Sequence, residues 1–243
     1  MLGTVDGMNA RSEPRHLVWD WNGTLLDDLS LVVAATNAVL ADLGGPQIDA
    51  DHHRQFFRRP IADYYTEVLG RRVGAAEFHR LNQAFHDAYQ ASLPCRLTPD
   101  APAALSSWPG AQSLLSMWFH DELLCALADF RLAGHFARVD GMRRDRTAGA
   151  VDHKGPYLAA HLAALRLDGS EVVLIGDTVD DAYAAASVGA SCVLYAGGFT
   201  GPEQLRATGA PVVDSLVEAV AVASAGGLGS PVVTPGRDEA GVR

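Results

Sequence analysis

Asp20, Ser116, Lys154 and Asp177 are a carboxylate, a hydroxyl, an ammonium and a second carboxylate, spread across a chain of 243 residues. Asp20 follows the apolar run His16–Trp19, and Ser116 comes near the end of another, "QSLLSM". Asp177 follows "EVVLIG", and Lys154 stands in a Gly-containing loop ahead of a helix starting at Pro156. These groups suit phosphoryl transfer assisted by magnesium. The metal needs hard oxygen ligands from one or two carboxylates, and the charge on the transferring group needs cationic and hydrogen-bonding partners. Asp177 and Asp181 are spaced i, i+4, so a helix beginning near Asp180 would turn both toward one metal site. Taken singly, each residue also has a plain structural role: a helix cap, a turn acid, a packed serine or a solvated lysine. Their common placement is what argues for chemistry.

That placement depends on the elements around them. Short apolar runs alternate with helix-like segments: His16–Trp19 then 29–43, 112–117 then 119–130, 172–175 then 180–188, 190–194, and Val212–Val213 then 216–223. Alternation of this kind predicts right-handed βαβ units, a parallel sheet and helices on both faces. Polar residues just beyond the strands then lie along the carboxyl edge of the sheet, where open α/β sheets bind ligands. Gly44-Gly45-Pro46 stops the first long helix, and Ser215 with Glu218 has capping-box spacing. Residues 46–105 break the alternation and are predicted to be helical, with Ala75–Ala91 marked by Phe78, Leu81, Phe85 and Tyr89. The expected division is a core of residues 15–45 and 106–223, a helical insert over 46–105, and loose ends at 1–14 and 224–243.

Composition narrows the partners. A formal charge of −10 argues against a nucleic-acid backbone. No run approaches the roughly 20 apolar residues that span a bilayer, and the start lacks the pattern of a signal peptide. A soluble, cytoplasmic protein with a small-molecule ligand is expected, with assembly as a homodimer left open. Cys95, Cys125 and Cys192 are far apart and are expected to be packing residues rather than a disulfide or zinc framework. The nine histidines show no metal-ligand spacing. The 19 basic residues are arginines except for Lys154. A solitary lysine before a helix suggests a site that takes a compact three-donor ammonium and not a forked guanidinium.

"DWNGTLLDD" (20–28) resembles the first motif of the haloacid dehalogenase superfamily, and Ser116, Lys154 and "GDTVDD" (176–181) resemble its second, third and fourth in order. "FFRRPIADYY" (56–65) and "GAQSLLSMW" (110–118) look like its phosphoglycolate-phosphatase-like branch. The resemblance implies a Rossmann-like α/β core with an inserted helical C1 cap. It further implies Asp20 as nucleophile forming a phosphoaspartyl intermediate, and Mg²⁺ held by Asp20, Asn22, Asp177 and Asp181. Thr24 would bond near the nucleophile, and Ser116 and Lys154 would contact the phosphoryl group. Arg58 and Arg59 could meet an anionic group of the substrate, and Tyr64 and Tyr65 a ring, if they are not simply surface charges and cap packing.

The chain departs from the pattern at Asn22, where most phosphatases of that superfamily carry a second aspartate that protonates the leaving group. An amide cannot take that role, which is worth typically ~10²–10⁴-fold. Its backbone carbonyl, the superfamily's metal contact at this position, remains. Three alternatives follow. The substrate has a good leaving group, or another acid is recruited from Asp27, Asp28, His52 or His53. The second is phosphonate cleavage, which needs a cap lysine that this chain lacks. The third is a phosphate-binding or interaction protein on the same fold. The metal acids disfavour a true dehalogenase.

Overall fold

The computed structural model describes residues 16–92, 94–144, 153–226 and 228. Of the two expected loose ends, residues 1–14 lie outside it, as does the tail beyond 228. Among the described residues the strands are β1 (His16–Trp19), β2 (Leu26–Asp27), β3 (Arg96–Leu97), β4 (Ala111–Phe119), β5 (Val139–Met142), β6 (Val172–Gly176), β7 (Ser191–Tyr195) and β8 (Val212–Val213). Six of them form a parallel sheet in the order β5-β4-β1-β6-β7-β8. The other two, β2 and β3, pair antiparallel as a short ribbon.

The helices are α1 (Leu29–Asp42), α2 (Ala50–Phe56), α3 (Ile61–Leu69), α4 (Ala75–Ala91), α5 (Ala101–Ser107), α6 (His120–Asp129), α7 (Lys154–Leu165), α8 (Val179–Ser187), α9 (Pro202–Ala207) and α10 (Leu216–Ala225). Both faces of the sheet are covered, which is why its central strands read as continuous apolar runs. Leu17, Trp19 and Ile175 pack on one face with Leu105 of α5, Leu123 of α6 and Leu216 of α10. Val18, Leu174 and Cys192 pack on the other with Leu158 of α7 and Ala182 of α8. Each such large side chain contributes about 1.5–3 kcal/mol by leaving water.

Several expectations need adjustment. Helix α1, assigned to the core by sequence, buries Val39 against Tyr65, Phe78 and Leu81, and Leu40 against Tyr64 and Val68. It therefore packs with α3 and α4. Conversely, Ala101, Ala104 and Leu105 of α5, placed in the insert by sequence, belong to the sheet's own core. Periodicity tells which face of a helix is apolar but not what covers it. Helix α10 continues to Ala225, past the expected start of the tail. Cys192 is buried and Cys95 is partly so, but Cys125 is exposed. No helix among the described residues is long and apolar enough to cross a membrane.

Candidate active site

The chain leaves β1 toward β4 on one side of the sheet and leaves β6 toward β7 on the other. A crevice therefore opens between the carboxyl ends of β1 and β6, the usual ligand position in such sheets. Asp20 follows β1 directly, and its N–H donates to the Ile175 carbonyl at 2.9 Å, tying the turn to β6. Asp177 follows β6. The turn after Asp20 needs glycine at position 23: φ is +73°, and a Cβ there would lie 2.4 Å from Asp177 Oδ2.

Lys154 is the first residue of α7, not a loop residue ahead of it. Its Nζ lies 2.8 Å from Asp20 Oδ1 and also pairs with Asp181 Oδ1. Thr178 caps α8, and its hydroxyl and N–H both donate to Asp181 Oδ2. Asp177 thus precedes the helix. The two acids meet because one comes from a strand end and the other from the first helical turn, not because they share a helix face. Asp177 accepts from Thr24 Oγ1 at 2.7 Å and from the Phe199 N–H at 2.7 Å. The hydroxyl of Thr24, expected beside the nucleophile, is therefore engaged with Asp177.

Asp20, Asp177 and Asp181 are buried and offer carboxylate oxygens within 4.8 Å of one another. Burial pushes the Asp20 carboxyl up to about 6, against the pull of Lys154. Burial, reinforced by Asp20 and Asp181, holds Asp177 well above the usual carboxylate range. For Lys154 burial acts to lower the pKa, but Asp181 and Asp20 outweigh it and the ammonium is held firmly protonated. Three carboxylates against one ammonium leave an excess of negative charge that a divalent cation would balance. The all-oxygen donor set suits a hard ion such as Mg²⁺.

Asn22 is held from behind. Its Nδ2 donates to Asp28 Oδ2 at 2.7 Å, and Asp28 also accepts from the Gly23 N–H at 2.9 Å and the Tyr89 hydroxyl at 2.8 Å. Ser116 lies within β4 rather than at its end, and its hydroxyl reaches Asn22 Oδ1 at 3.5 Å. Asp28 is fully buried and does not line the cavity above Asp20, although burial raises its carboxyl to about 6. Asp27 pairs with Arg96 across the ribbon. His52 is absent from the cavity wall and His53 is part of it, with burial lowering the His53 ring to about 3. None of the four recruits is a cavity group poised to donate a proton near neutrality.

Arg59 lines the cavity with its Nε 3.9 Å from Asp180 Oδ2. Arg58 bonds the Phe56 carbonyl and faces Glu67 on the exposed side. Asp180 also accepts from the Lys154 N–H at 2.9 Å, so it anchors the start of α7. Sequence reasoning passed over Asp180, Gly198 and Phe199. A Cβ on Gly198 would fall 2.2 Å from Asp177 Oδ2, which lets the Phe199 amide approach. The paired glycines in "AGGF" (196–199) directly after β7 were the available signal.

Comparison with known proteins bears on the family and the fold. A family model described as HAD-hydrolase-like matches residues 153–219. The phosphoglycolate phosphatase of Caulobacter vibrioides is 30% identical over 220 residues, covering 87% of this chain and 90% of that one. A protein named probable phosphatase IndB, from Dickeya dadantii, is 28% identical over 86% of this chain and 93% of its own. A solved haloacid dehalogenase-like hydrolase from Streptococcus pneumoniae superposes with a TM-score of 0.74 at 18% identity, covering 86% of this chain and 98% of that one. This last likeness bears on the fold alone.

Proposed function

Because the chain belongs to the haloacid dehalogenase-like hydrolases, we propose that it is a divalent-metal-dependent phosphatase that cleaves a small phosphate monoester through attack by Asp20. The observation that carries this reading is the buried convergence of Asp20, Lys154, Asp177 and Asp181 beneath one cavity. A binding protein has no use for an ammonium held against two carboxylates at the cost of desolvating all three.

Asp20, Asp177, Asp181 and the backbone carbonyl of Asn22 are the groups that would hold Mg²⁺. When bound, the ion would neutralise charge on the phosphoryl oxygens. Asp20 forms a bond to phosphorus as the ester P–O bond breaks, and water then releases phosphate from the aspartyl intermediate. Lys154 keeps its proton throughout and offsets the negative charge beside Asp20. Ser116 offers its hydroxyl to the phosphoryl group. Thr24 acts one step back, fixing Asp177 through its 2.7 Å hydrogen bond. The unit from α1 to α4, entered and left through the β2–β3 ribbon, serves as the cap that closes over the ester and excludes water.

The test is phosphate release from acetyl phosphate, whose leaving group departs without an acid, in the presence of Mg²⁺. Release should fall by at least about 10³-fold in Asp20→Asn, in line with loss of a covalent nucleophile. Equal rates for the two proteins, or no release by the wild type, would overturn the reading.

A further inference from the structure

Beneath the helices, the cavity over Asp20 has a volume of about 120 Å³, where one water needs roughly 10–15 Å³. It can take a ring, not merely a two-carbon acid. Its walls are aromatic: Phe57, Tyr64, Phe78, Phe85, Trp118 and Phe199 all line it. Phe57 meets Tyr64 and Phe199 edge-on at centroid distances of 5.8 and 5.4 Å, an arrangement that continues naturally onto a further ring.

Charge is scarce on those walls. Among the lining residues, the helical unit contributes one charged side chain, Arg59, and it already faces Asp180. Lys154 is held between Asp20 and Asp181. Among the described residues, a carboxylate on the substrate's far end would have to share Arg59 with Asp180 and would meet no second cation free of carboxylate partners on those walls.

Two neutral polar atoms do await a partner. His53 Nε2 and His86 Nδ1 are buried without a hydrogen-bond partner among the described residues, and both residues line the cavity and are more than nine-tenths buried. The other ring nitrogen of His53 is engaged with the Tyr64 hydroxyl at 2.9 Å. Burial keeps both imidazoles uncharged at neutral pH. Buried polar atoms of this kind are normally satisfied, and because both residues line the cavity, a ligand group that reaches these nitrogens would satisfy them.

We infer that the organic part of the substrate is an uncharged aromatic group carrying a neutral hydrogen-bonding function, so that the ester cleaved is an aryl phosphate and not a carboxylated alkyl phosphate. This rests on the phosphatase reading above and narrows it. It also accounts for Asn22. A phenol of pKa near 10, as in tyrosine, leaves as its anion far more readily than an alcohol whose pKa approaches the 15.7 of water. In the first step the Asp20 oxygen bonds to phosphorus while the P–O(aryl) bond breaks, and the electron pair leaves on the phenolate, which takes a proton from solvent. In the second, water cleaves the aspartyl phosphate to inorganic phosphate and the carboxylate.

The test has a binding arm and a turnover arm, each with Mg²⁺ present. Calorimetry on Asp20→Asn should show 1-naphthyl phosphate binding at least 10-fold more tightly than 2-phosphoglycolate. Wild-type kcat/KM should favour the naphthyl ester by at least 30-fold. A ring hydroxyl on the naphthyl group should add several-fold in affinity, an advantage lost in His53→Phe or His86→Phe. Acetyl phosphate separates the two readings. If it is hydrolysed in an Asp20-dependent manner while phosphoglycolate matches or exceeds the naphthyl ester, the aryl assignment is wrong and the phosphatase stands. If nothing is hydrolysed, the phosphatase reading fails, and equal binding of the two esters would dispose of the aromatic pocket as well.

Discussion

Restoring the superfamily's second acid by Asn22→Asp alone should damage this protein, because a carboxylate already stands behind that position. In the wild type the amide Nδ2 of Asn22 donates to Asp28 Oδ2 at 2.7 Å, and Asp28 is wholly buried. The substitution replaces the donor by an oxygen at the same separation. With both groups ionised, a charge-assisted hydrogen bond worth roughly 1.5–3 kcal/mol is lost. Repulsion of about 4 kcal/mol is added for charges some 4 Å apart at an effective dielectric of 20. The pair avoids that repulsion by sharing a proton. Asp28 titrates at about 6 in the wild type, so holding the proton at pH 7.5 costs about 2 kcal/mol at 1.36 kcal/mol per pH unit. The expected loss of stability is therefore ~2 kcal/mol at pH 7.5, about 4–8 °C in Tm for a chain of this size. The raised pKa of the pair sets the sign: the variant is near wild type at pH 6 and falls further behind as pH rises toward 8. Asn22→Asp with Asp28→Asn reverses the hydrogen bond. The new amide at 28 can donate to both the carboxylate at 22 and the Tyr89 oxygen, while its carbonyl still accepts from Gly23. This double variant should recover to within about 1 kcal/mol, and its acid at position 22 should speed alkyl phosphate hydrolysis by about 10²-fold or more. Urea denaturation at pH 6 and 8, with phosphate release from an alkyl ester, reads both effects. A single variant as stable as wild type at pH 8, or a double variant no better than the single, would refute the Asp28–Asn22 argument.

Other outcomes follow from the same geometry. Gly198→Ala puts a Cβ 2.2 Å from the Asp177 carboxylate, so it should cut kcat/KM at least about 10²-fold and raise the Mg²⁺ concentration needed for half-maximal rate; an unchanged metal titration would count against Asp177 as a ligand. Lys154→Met leaves Asp20 and Asp181 without their shared ammonium, and should cost about 3–5 kcal/mol in the chelator-treated protein, measured by denaturant midpoint. Chelation with EDTA should abolish turnover and lower Tm by roughly 5–10 °C relative to Mg²⁺ at 100 times its Kd, which corresponds to about 2.7 kcal/mol of linkage; an identical melt with and without chelator would refute metal binding at this cluster. His53 is buried with its pKa lowered to about 3, so the unfolded chain takes up this proton first. The contribution of His53 should be complete above pH 6.5 and be lost as pH drops toward 3, by up to about 1.4 kcal/mol per unit, so the stability of wild type relative to His53→Gln should fall between pH 6.5 and 5.

The sequence by itself determined the elements and the chemical inventory. Continuous apolar runs at His16–Trp19 and in "EVVLIG" fix buried parallel strands, because a strand covered on both faces cannot alternate. The residues just beyond them, Asp20 and Asp177, were legible as site candidates for the same reason. The single lysine stood out because arginine was used everywhere else. Long-range packing was not legible. Whether α1 covers the sheet or the helices above it depends on which apolar stripe it meets, and a stripe carries no address. Tertiary structure likewise decided that Thr24 serves Asp177, that Asp28 stands behind Asn22 with a hydroxyl from α4, and that Gly198 brings the Phe199 amide to the cluster. These contacts join residues up to 153 positions apart. Only when the chain is folded do burial and neighbouring charge set the protonation of those carboxylates and leave His53 Nε2 and His86 Nδ1 without a partner among the described residues.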